Sequence, residues 1–169
     1  DSATERFSKS LARVYFELGL MGDFEVLATE ACVVARRNDD LALLAEMLGL
    51  LGIASRRTGD FAAANLLWRE RIQVGVNLGN VSIQVDSLAD LVDMHLESND
   101  LDSVADILSS LWSLTPQLGD EGVELELQMF QSRYLMKQGD LKGAREFAKK
   151  VRQHVLLDSN SDSTCYILK

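Results

Sequence analysis

Proline is almost missing from this 169-residue chain, where Pro116 is the only one, and cysteine and histidine occur twice each. So few turn-forming residues fit poorly with a fold of many short strands, and no useful stretch alternates apolar with polar residues. Cys32 and Cys165 lie too far apart to suggest a disulfide framework, which points to a reducing, intracellular compartment. Lys and Arg are absent from residues 81–120, which hold eight acids, and the net charge of −9 argues against nucleic-acid binding. Long apolar runs are lacking too. The most apolar window, "LALLAEMLGLLGIA" at 41–54, is 14 residues long and contains Glu46, short of a membrane span. No secretory signal is read at the start. The opening at Asp1 and the ending "STCYILK", which reads as the first turns of another helix, lead us to expect a fragment of a larger protein.

Signatures of chemistry are lacking as well. There is no G-x-S-x-G, no P-loop and no G-x-G-x-x-G. "DSNSDSTCYILK" opens like a calcium loop with Asp158, Asn160 and Asp162, but Ser163 replaces the turn glycine and Lys169 the bidentate glutamate. His95 and His154 sit in no metal-ligand spacing. His95 is read as a packed or rim residue, Cys32 as an inert buried thiol, and Trp68 and Trp112 as inter-helix core. No catalytic residue, metal site or cofactor is expected, and the chain is not read as an enzyme.

What the chain does have is helix-compatible apolar spacing, with 47% hydrophobic residues. Leu44, Leu48, Leu51 and Ala54 recur at i, i+4, i+7 and i+10, one face of a helix. After a Gly-Asp pair, Phe61, Ala64, Leu67 and Trp68 make a second apolar face. Similar pairs recur at Gly22-Asp23, Gly59-Asp60, Asn99-Asp100 and Gly139-Asp140, at intervals of 37, 40 and 40 residues. Gly or Asn suits the left-handed backbone past a helix C-terminus, and Asp caps the next helix. Gly79 and Gly119 punctuate the chain between these units. A fixed period in this range signals stacked αα-hairpins. The expected helices are 4–20, 24–37, 40–57, 61–78, 81–98, 101–114, 120–138 and 141–156. They form four hairpins (4–37, 40–78, 81–114 and 120–156) in one array over 1–157, followed by a polar loop and a further helix near 164.

The pattern resembles the tetratricopeptide-repeat (TPR) family in its long, roughly 40-residue form, as in Pins-like scaffolds, kinesin light chains and bacterial helical regulators. Unit two carries the likeness best, with Leu51-Gly52, Gly59-Asp60, Ala64 and Trp68. Unit four keeps Gly139-Asp140 and Ala144, and unit three places Pro116 at the closing position. The resemblance implies an all-α, right-handed superhelix with a concave wall formed by the first helix of each hairpin. By alignment on the Gly-Asp pairs, the wall positions of unit one are Lys9, Ala12, Phe16, Gly19 and Leu20. Unit two supplies Glu46, Gly49, Ile53, Arg56 and Arg57; unit three Asp86, Ala89, Asp93, Leu96 and Glu97. Unit four supplies Glu126, Met129, Arg133, Met136 and Lys137.

The resemblance implies binding of a partner peptide or helix along that wall. A chaperone-type carboxylate clamp would need Lys and Asn where unit one has Ala12 and Phe16, so that mode is not expected. Asp86, Asp93 and Glu97 would face a basic partner segment, although the same acids would serve equally as a solvated helix face. The basic run Lys142–Arg152 reads first as a solvated face. The alternative role is a regulatory sensor, in which ligand or intramolecular binding to the repeats controls an attached domain.

Overall fold

The structure of the chain, a computed structural model, describes residues 2–158, with side chains over 10–154. Among the described residues eight α-helices follow one another: α1 (Ser2–Glu17), α2 (Met21–Arg37), α3 (Leu41–Arg57), α4 (Phe61–Asn77), α5 (Val81–Ser98), α6 (Leu101–Leu114), α7 (Glu121–Gln138) and α8 (Leu141–Asp158). No strand forms among the described residues. The all-α hairpin architecture expected from the repeats is therefore what the chain adopts. The expectations for residues 159–169, the polar loop and further helix, lie outside the described residues.

Each joint is made by the same local chemistry. One or two residues past each helical end the backbone is left-handed: Gly19, Asp39, Gly59, Gly79, Asn99, Gly119 and Gly139 have φ between 56° and 86°. The next amide then reaches back to a carbonyl five residues earlier, as in Asp40 N–H to Ala35 O at 2.9 Å and Asp60 N–H to Ser55 O at 2.8 Å. At every joint after the first, where Leu20 has no capping side chain, the residue following the left-handed one caps the next helix. The carboxylate of Asp60 accepts from the Ala63 amide at 2.9 Å, that of Asp140 from Gly143 at 2.9 Å, and the Asn80 side chain from Ile83 at 3.1 Å. One side chain thus satisfies helix-start amides, while its own amide closes the helix before it. Pro116 accounts for the one irregular end. It cannot donate a backbone hydrogen bond, and α6 finishes early in a single 3-10 turn at Thr115–Gln117.

These joints correct the reading of the first hairpin. The turn lies at Gly19, φ 74°, and not at Gly22, which is helical in the first turn of α2. Helix α1 ends at Glu17 instead of 20 and α2 starts at Met21 instead of 24. The joints at 19, 39, 59, 79, 99, 119 and 139 form one series with a step of 20 residues, serving both the turns within hairpins and those between them.

The helices divide into two compact units, Asp1–Met94 and His95–Lys169, whose border falls within α5. In the first unit, α2 packs on α1 and α3, and α3 packs on α4. Phe24, Ala28, Ala31, Cys32 and Ala35 of α2 meet Leu44, Met47, Leu48, Leu51 and Ala54 of α3 in one buried cluster. Gly52 lets the fully buried Trp68 of α4 lie against α3. In the second unit, α7 packs on α6 and α8, with Val104, Leu108, Leu127, Phe130 and Ala144 buried. His95 is 7% exposed, with Nδ1 3.1 Å from the Asp100 carboxylate. Trp112 departs from its core assignment: it is 40% exposed, and its Nε1 donates to Gln131 Oε1 at 3.3 Å. Burial pushes the Cys32 thiol up to about 11, outweighing the opposing pull of Arg36, which leaves little thiolate at neutral pH.

Candidate partner-binding cleft

The first unit holds an open cleft of about 400 Å3. Its lining comes from Arg13 on α1, Ala42, Ala45, Glu46, Gly49, Leu50 and Ile53 on α3, Arg71 on α4 and Ile83 on α5. The sequence-derived wall positions Glu46, Gly49 and Ile53 are therefore brought together. They share a face of α3 because they recur at i, i+3 and i+7. The unit-one positions are corrected with the register: Ala12 is fully buried, and Gly19 and Leu20 lie in the turn beyond α1. Arg13 supplies the α1 contribution to the cleft instead. The side chain of Lys9 lies outside the described side chains.

Arg71 was not anticipated. It follows Ala64 and Trp68 at i+7 and i+3, on the side of α4 that turns to α3, and a cation on an apolar face was the available signal. Gly49 makes room for it: a Cβ there would stand 3.1 Å from both Cζ and Nε of Arg71. The Arg71 Nε is buried without a hydrogen-bond partner. Its terminal nitrogens stand 3.8 Å from Asp86 and 3.9 Å from Asp90, close enough for ion pairing and too long for direct hydrogen bonds.

Thus the acids of α5 meet cations from the preceding helices. Arg56 of α3 is 3.8 Å from Asp93. Burial raises the Asp90 carboxyl to about 6 against the pull of Arg71 and Arg56, while Asp86 and Asp93 add to the rise. Asp86 is raised as well, burial outweighing Arg71. Asp86, Asp90 and Asp93 of α5 thus face Arg71 and Arg56 along this rim.

On α1, the Phe16 ring packs edge-on against Phe24 of α2 with centroids 5.2 Å apart. The Arg57 guanidinium lies 4.9 Å from the Phe16 centroid, where the ring's negative face attracts it. Among the positions in the second unit, Glu97, Glu126, Met129, Met136 and Lys137 are exposed. Arg133 is half-buried, with its guanidinium 5.8 Å from the Phe130 centroid. His154 of α8 pairs with Glu121 at the start of α7.

Among the described residues, no group of His, Cys, Asp and Glu comes together in a way that could hold a metal ion. No helix among them is long and apolar enough to cross a membrane. No protein-family model matches the sequence, and comparison with curated proteins finds no match.

Proposed function

We propose that the chain is a TPR-type interaction module, a superhelical hairpin array that holds a peptide or helix of a partner protein inside the cell. The observation that carries this reading is the cleft of α1, α3, α4 and α5. It is lined by apolar side chains (Ala45, Leu50, Ile53 and Ile83) together with charged ones (Arg13, Glu46 and Arg71). Such a mixture suits an extended segment, with apolar side chains supplying affinity by burial and the charges setting register and partner choice. The partner segment offers an apolar side chain to Ile53 and a basic residue to the rim at Asp86, whose side chain is 55% exposed. Asp93 and Glu97 extend that preference along α5, and Glu126, Met129, Arg133 and Lys137 of α7 are the partner contacts proposed for the second unit by itself.

The test begins by selecting peptides from a random displayed library against the full chain and mapping their contacts by hydrogen exchange. Slower exchange over residues 46–53, with at least tenfold weaker binding by Ile53→Glu at unchanged melting temperature, supports the reading. Peptides that bind elsewhere and are indifferent to Ile53→Glu remove its basis.

A further inference from the structure

One face is used alike in successive odd-numbered helices. On α3 it holds Leu51 and Ala54, at 9% and 0% exposure; on α5 the residues 40 positions later, Leu91 and Met94, are at 1% and 2%. Leu51 and Ala54 share a buried cluster with Ala28, Ala31, Cys32 and Ala35 of the preceding helix α2. On α7 the corresponding Gln131 takes its hydrogen bond from Trp112 of the preceding helix α6, at 3.3 Å. In both units, then, this face meets the helix before it.

Forty positions before Leu51 and Ala54, α1 carries Leu11 and Val14, which are 43% and 47% exposed. Leu18, just past the end of α1, continues the line at 67% exposure. These residues fall at i, i+3 and i+7, one stripe. The other side of α1 is covered, since Ala12 is fully buried and Tyr15 and Phe16 pack against the α2–α3 cluster. Helix α1 therefore has two apolar sides, of which one is open.

We propose that the Leu11–Val14–Leu18 stripe is a docking surface for an α-helix that presents small apolar residues at i, i+3, i+4 and i+7. The α2 stripe of Ala28, Ala31, Cys32 and Ala35 already does this for α3, so the surface continues an interface the fold uses internally. Small residues on the incoming helix allow close approach, and the larger Leu and Val side chains fill the space between axes. Three side chains fall far below the roughly 800 Å2 per partner of a stable interface, so a free helix is expected to bind only weakly.

The test uses the full chain and a synthetic peptide of residues 21–38, held helical by a lactam joining Val26→Lys to Glu30. Both positions are exposed, on the side of α2 away from the stripe. Saturable slowing of amide exchange over residues 10–18 is expected at millimolar peptide or below. It is absent with a peptide carrying Ala31→Glu, and at least tenfold weaker in Leu11→Ser/Val14→Ser chain that melts like the wild type. No saturable slowing overturns the proposal, as does slowing confined to α3 that survives Leu11→Ser/Val14→Ser. Slowing at 10–18 that depends on chain concentration without peptide, together with a dimer in sedimentation, assigns the stripe to a second copy and also overturns it.

Discussion

Trp68 and Gly52 occupy adjoining space so closely that a methyl group on Gly52 would stand 2.6 Å from Cε2 and 2.8 Å from Cδ1 of the indole. Helix propensity alone favours Gly52→Ala by about 1 kcal/mol. Overpacking opposes it by about 1–3 kcal/mol, and the fully buried Trp68 has no free direction in which to retreat. Gly52→Ala is therefore expected to lower stability in urea titration. Gly22→Ala, where nothing lies within 4 Å of the added methyl, is expected to be neutral or mildly stabilising. Equal effects of the two substitutions would contradict this packing.

The left-handed joints give a prediction with opposite signs. Gly59→Ala forces an alanine to φ 83° and is expected to cost about 1 kcal/mol or more. Asp39→Gly relieves a non-glycine residue at φ 56° and is expected to stabilise by a fraction of that amount. Thermal melts of the two variants check both signs.

Capping can be tested separately. Asp60→Ala removes the acceptor for the Ala63 amide and is expected to cost about 1 kcal/mol, while Asp60→Asn retains most of the stability. Losses of equal size in the two variants would count against a capping role.

Asp90 gives the pH prediction. Its carboxyl is raised to about 6, mainly by burial, so the folded chain holds a proton there that the unfolded chain gives up nearer pH 4. Its favourable contribution is full below pH 4 and is lost as pH rises through about 6. Asp90→Asn should therefore be more stable than the wild type at pH 7.5 by about 1–3 kcal/mol, and the difference should shrink towards pH 4. Asp100 acts in the opposite sense. Hydrogen bonds from Ser103 hold its carboxyl below the ordinary value, aided by His95, so its contribution is lost as the solution becomes more acidic than about pH 4. Urea titrations of wild type and Asp90→Asn between pH 4 and 8 check the trend, and a pH-independent difference would contradict it.

Helices α3 to α8 were legible because their joints are local: a left-handed residue and a capping side chain stand side by side in the sequence. The first hairpin was misplaced by three residues because Gly22-Asp23 imitates such a joint, while the true one, Gly19-Leu20, has no capping side chain. A step of 20 running back from Asp39 was the signal that would have found it. In the cleft, Glu46, Gly49 and Ile53 were legible as one helical face. The ion pairs of Arg56 with Asp93 and of Arg71 with Asp86 were not, since they join residues of different helices across 37 and 15 positions. Periodicity specifies which side of a helix faces inward, but not which long side chain from a neighbour reaches across it.

At most joints a single residue, such as Asp40, Asp60 or Asp140, ends one helix with its amide and begins the next with its side chain. That leaves no slack to absorb a change in spacing. One extra residue inside a helix would turn everything after it by about 100° and carry the buried face into water. Insertions are thus tolerable only as whole hairpins, and the fold would lengthen by duplication more readily than by gradual growth.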